Sequence, residues 1–113
     1  MKKRPKETQA TITKVKLTCG NCYIAISELD GEIFEVFTWV GKAGGCFACM
    51  MQSLTTSVAL GIRNGVTVNE YIKHFVGQGC PSISFDDSVK YLSCVDAIGQ
   101  ILRDKQKELK NNG

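Results

Sequence analysis

What most constrains this chain is a change of hydrophobic period partway along it. Up to residue 40 the apolar residues alternate, weakly in TITKVKL (11–17), clearly in CYIAISEL (22–29) and again in EIFEVFTWV (32–40). A period of two is the pattern of strands with one buried face. Asp30-Gly31, between the last two runs, supplies the positive backbone angles of a tight hairpin, so the three runs predict an antiparallel meander. After GKAGG (41–45) the period lengthens. Phe47, Met50, Met51, Leu54, Val58 and Ile62 recur every three or four residues, which predicts an amphipathic helix ending at Asn64-Gly65. Thr67 with Glu70 three residues on is a capping-box pattern, predicting a short helix over about 68–76 that stops at Gly77 or Gly79. Residues 81–87 show no clear period. A last helix from about Ser93 would turn Val95, Ile98, Ile101 and Leu102 inward. Strands followed by helices predict an α+β fold, a three-strand antiparallel meander with two to three helices packed on one face.

The 113 residues suffice for one domain, near the lower limit at which burial alone stabilises a core. The expected division is a basic tail over 1–9, the folded module over 10–104 and a charged helix end or tail over 105–113. The net charge of +3 is concentrated in KKRPK (2–6) and RDKQKELK (103–110), which read as solvated ends able to touch phosphate. Along the chain the aromatic residues are not interleaved with basic ones, so the linear pattern gives no support for a single-stranded nucleic-acid surface. No apolar run approaches the roughly 20 residues of a membrane span, and no apolar segment follows the basic start MKKRPKETQ. A cytoplasmic location is the expectation.

In that compartment thiols stay reduced, so the six cysteines read as metal ligands or redox groups rather than a disulfide framework. Cys19, Cys22, Cys46, Cys49, Cys80 and Cys94 each fall at or beside a predicted turn or helix start. CGNC (19–22) has the glycine and asparagine of a knuckle whose amides can point at a thiolate. CFAC (46–49) opens a helix, where unpaired amides lower a thiol pKa. By spacing alone, two CxxC pairs suggest a tetrahedral zinc site with Cys80 and Cys94 as spectators. CFAC also suits a dithiol redox carrier through Cys46 and Cys49, although a thioredoxin motif follows a strand in a βαβ unit and this one does not. Lys42, Gly44 and Gly45 could form an anion nest for a nucleotide or nucleic acid. GKAGG is not a Walker sequence, because its lysine precedes the glycines, and the same glycines would let backbone approach a thiolate. His74, the only histidine, reads as a surface residue, Asp86-Asp87 as a helix cap or surface turn, and Asp96 as a cap near Cys94. None forms an acid–base pair. Trp39 and the strand aromatics read as core or as an exposed sheet face for a partner, and Met50-Met51 as packing.

TCGNCYIAI, EIFEVFTWVGKAGGC, ALGIRNGV, GQGCPS and LSCVDAIGQIL, taken in that order, make the chain similar to the TSCPD domain over about residues 10–103. That domain is the C-terminal module of vitamin B12-dependent ribonucleotide reductases and also occurs as small stand-alone proteins. The family's Thr-Ser-Cys-Pro-Asp reads Leu92-Ser93-Cys94-Val95-Asp96 here, which keeps the cysteine and aspartate but loses the threonine and proline. The resemblance implies one structural zinc ion held by Cys19, Cys46, Cys80 and Cys94, with Cys22 and Cys49 as supporting thiols or a nearby reactive pair. In isolated zinc modules such a site contributes on the order of 10 kcal/mol to folding. It also implies a small non-catalytic accessory or regulatory protein that docks on a larger protein, since the reductase's catalytic barrel has no room in this length.

Overall fold

The computed structural model describes residues 3–40 and 45–112. Three strands come first: β1 (Gln9–Leu17), β2 (Gly20–Leu29) and β3 (Glu32–Val40). They pair antiparallel in the order β1-β2-β3, the expected meander. Asp30 (φ 55°) and Gly31 (φ 78°) make the β2–β3 turn with the positive angles anticipated for them. A register shift between Ser27 and Glu28 leaves Phe34 without a partner on β2, and both Ile33 and Phe34 are buried there.

Helix α1 (Gly45–Arg63) follows, then α2 (Val68–Phe75), a small hairpin of β4 (Ser84–Asp86) and β5 (Val89–Tyr91), and α3 (Cys94–Asn112). The hairpin was not legible: three-residue strands are too short to show a period, and only Ser84 and Tyr91 among their residues are buried. The capping box at α2 is also corrected. Thr67 is the N-cap residue, but its side chain makes no cap hydrogen bond; Glu70 N–H bonds the Thr67 carbonyl at 3.1 Å, and the Glu70 carboxylate lies 3.7 Å from His74 Nε2. An exposed carboxylate with a neighbour one turn on gains as much there as by folding back.

The core lies between the sheet and the helices. Val15, Cys22, Ile24, Ile26 and Val36 on the sheet meet Met51 and Val58 of α1 and Ala97, Ile98 and Leu102 of α3, all at most 2% exposed. Thr38 of β3 and Thr55 of α1 share a buried hydrogen bond of 3.2 Å, and Thr55 Oγ1 also reaches the Met51 carbonyl at 3.0 Å. Helix α1 is long and apolar enough to cross a membrane, which corrects the expectation that no segment is. Here it lies along β3 with Ala48, Met51, Thr55, Val58 and Ala59 buried. Of the methionine pair only Met51 packs; Met50 is exposed. The sheet's other face carries the exposed rings of Phe37 and Trp39, with Ala25, Ser27 and Glu35 buried beside them.

Candidate metal centre

One end of the sheet gathers the segments that carry cysteines, and side-chain hydrogen bonds hold them there. Thr18, next to Cys19 in the β1–β2 turn, receives the first link: its N–H donates to Ser84 Oγ at 2.6 Å, and its hydroxyl donates to the Ile83 carbonyl at 3.0 Å. The β4 segment just after Cys80 is thereby fixed beside Cys19. Cys80 N–H in turn donates to the Leu92 carbonyl at 3.0 Å, two residues before Cys94.

The start of α3 completes the clasp. Ser93 is its N-cap, accepting the Asp96 N–H on Oγ at 3.0 Å while its hydroxyl donates to the Gln78 carbonyl. Asp96, 1% exposed, accepts from Gly77 N–H at 2.8 Å, Leu92 N–H at 2.9 Å and Gln100 Nε2 at 2.7 Å. In Ser93-Cys94-Val95-Asp96 the serine caps the helix, the aspartate binds the incoming loop, and the cysteine stands in the first turn.

Burial and neighbouring charge raise the pKa of two of the thiols. Cys94, half-buried, has its pKa raised first by burial, then by the Cys19 thiolate and more weakly by Cys80, while backbone N–H groups at the helix start pull it down. Cys22 is pushed up to about 11, chiefly by burial and then by Cys94. Cys22, the third residue of β2 and close to the Cys19 turn, is fully buried in the core. Cys19, Cys46, Cys49 and Cys80 are exposed. Cys46 stands in the first turn of α1, and the next residue, Phe47, lies against Gly20: a Cβ built on that glycine would stand 3.5 Å from the ring. Among the described residues no group of three or more His, Cys, Asp or Glu side chains is gathered closely enough to hold a metal ion. The donor chemistry nonetheless fits a soft divalent ion, since thiolates are its preferred ligands and a cation would offset the charge that Cys19 and Cys80 place on Cys94.

Lys42 and Gly44 of the anticipated anion nest lie outside the described residues; Gly45 (φ 87°) opens α1. His74 is exposed on α2. A cleft of about 480 Å³ lies at the far end of the sheet between the β2–β3 turn, Val66–Val68 and Leu109. No cysteine lines it, so its size says nothing about the thiol chemistry. Sequence reasoning missed Thr18, Ser84 and the three acceptances of Asp96; the Ser-x-x-Asp pattern of 93–96 was the available signal.

A small α+β module, with a three-strand meander backed by helices and a last helix opening on Ser-Cys-Val-Asp, is the class that this fold and site define. The chain belongs to the TSCPD domain family, whose match runs over residues 1–106. It is similar to the vitamin B12-dependent ribonucleotide reductase of Agrobacterium fabrum (strain C58 / ATCC 33970), 31% identical over 74 residues. That alignment takes in 65% of this chain and 6% of the reductase, so the chain spans a small fraction of its curated relative. No solved structure matches.

Proposed function

We propose that this chain is a small, non-catalytic zinc-binding accessory module, related to the reductase's TSCPD module, that works in the cytoplasm by docking on a larger protein. One observation carries the metal reading: the Thr18–Ser84 and Cys80–Leu92 hydrogen bonds hold the segments that bear Cys19, Cys80 and Cys94 side by side. Cys46 is the fourth ligand on this reading, since Phe47 on Gly20 brings the start of α1 to the Cys19 turn. The ion would be structural, neutralising thiolates and tying the sheet to α1 and α3. Cys22 and Cys49 would stay outside the coordination shell, Cys22 as a buried supporting thiol.

The test is native mass spectrometry of freshly purified protein with metal analysis and thiol counting on the same sample. One zinc per chain is expected, with Cys19, Cys46, Cys80 and Cys94 protected from alkylation until a chelator is added. Cys80→Ser should lose the metal and melt at a lower temperature. A metal-free chain whose mass is two hydrogens low, and which a reductant restores without loss of fold, would overturn the zinc reading in favour of a dithiol carrier. Docking is tested separately, by co-purification of a stoichiometric protein partner that the zinc-free Cys80→Ser variant no longer holds.

A further inference from the structure

The linear sequence separates its basic and aromatic residues, but the register of the sheet brings them together. Lys14 of β1 pairs with Tyr23 of β2, and Tyr23 pairs with Trp39 of β3, so the three side chains form one row across the outer face. Tyr23 and Trp39 stack, with ring centroids 5.7 Å apart and planes inclined by 14°. The Lys14 ammonium stands 6.0 Å from the Tyr23 centroid. In the adjacent row Phe37 lies under the Arg4 guanidinium at 5.9 Å, and Arg4 also holds the buried Glu35 at 2.9 Å. Trp39 is 40% and Phe37 37% exposed. These are large rings left in water beside cations, on a face opposite both the core and the helices.

We propose that this face binds single-stranded nucleic acid, a base stacking on the exposed Trp39 and the phosphates running past Lys14 and Lys16. An indole accepts any base on its π-face, and flanking cations supply the sequence-independent attraction for the backbone. Charge decides for nucleic acid over a second copy of this chain. Beside Tyr23 and Trp39 the exposed charges are Lys14 and Lys16, and the nearby Glu35 carboxylate is buried and held by Arg4, so the charge this face offers is cationic and matches a phosphate backbone. The surface shares no residue with the cysteine end, so its failure would leave the metal reading untouched.

Trp39 is the only tryptophan, and its fluorescence reports base stacking directly. The experiment titrates the purified full chain with a (dT)12 oligonucleotide at several salt concentrations and follows quenching. Saturable quenching is expected, with affinity falling steeply as salt rises. Trp39→Ala, read by fluorescence anisotropy of a labelled oligonucleotide, should weaken binding about ten-fold or more. Lys14→Gln should lower the salt slope by about one. Both side chains are outside the core, and unchanged circular dichroism would show that the fold survives. Absence of quenching up to millimolar oligonucleotide overturns the proposal. So does binding that both variants retain, which would place it on the basic ends. Equal quenching by thymidine monophosphate, or a dimer that Trp39→Ala dissolves, would overturn it in favour of a nucleotide site or a self-interface.

Discussion

Asp96 shows how much one side chain can organise. Its carboxylate is buried without a cation and is satisfied by three N–H donors, two of them main-chain groups from different segments. Asp96→Ala would strand those donors and is expected to cost about 2–4 kcal/mol, seen as a lower urea midpoint. Asp96→Asn should cost nearly as much, because its amide turns one acceptor into a donor facing an N–H. Cys22 makes a second prediction at this scale. In the folded, metal-free protein its thiol is pushed up to about 11, whereas the unfolded thiol ionises near 9.0. The unfolded chain therefore loses its proton first as pH rises. The stability that this difference contributes is intact below pH 9.0 and is lost progressively toward pH 11. Urea unfolding at pH 8 and pH 10 should show the decline, and Cys22→Val should flatten it. In the metal-free protein at pH 8, iodoacetamide should modify the exposed Cys46 and Cys49 well before Cys22.

Among the elements, those long enough to carry a period were the ones legible beforehand. β3 was read to its ends because its nine apolar-rich residues lie between Asp30-Gly31 and the GKAGG sequence, and α1 because its inward residues recur over five turns. β4 and β5 were lost for want of length, yet they carry the polar groups that fix Thr18. The candidate site was legible only as a set of thiols: spacing favoured the two CxxC pairs, whereas the fold sets Cys94 in the field of Cys19 and Cys80. Contacts across the chain leave no mark in local spacing. Neither does the docking of α2. A Cβ on Gly99 of α3 would stand 2.8 Å from Phe75 Cβ and 2.9 Å from Val76 N, so α2 can approach α3 only because residue 99 has no side chain. Gly99→Ala should cost about 1–3 kcal/mol, and hydrogen exchange should rise first in the amides of 68–76 while the sheet stays protected.

At the scale of the whole molecule, the sheet divides the labour. One face is spent on the core, one end carries the thiols, and the other face offers rings and cations to solvent. Buried Lys105 ties the far half of α3 to this frame through Glu28 at 3.1 Å and Thr11 Oγ1 at 3.0 Å. The hairpin has a further consequence. β1 is an outer strand of the sheet, and the amides of Lys16 and of Thr18 just past its end are taken by side chains, Asp86 Oδ2 at 3.0 Å and Ser84 Oγ at 2.6 Å. Side chains that occupy these donors deny them to another chain, so the hairpin guards against edge-to-edge growth of the sheet. The double variant Ser84→Ala/Asp86→Ala should stay folded at low concentration but gain light scattering and thioflavin signal as the protein is concentrated. The same few atoms that steady the cysteine end would then also be what keeps this protein from polymerising.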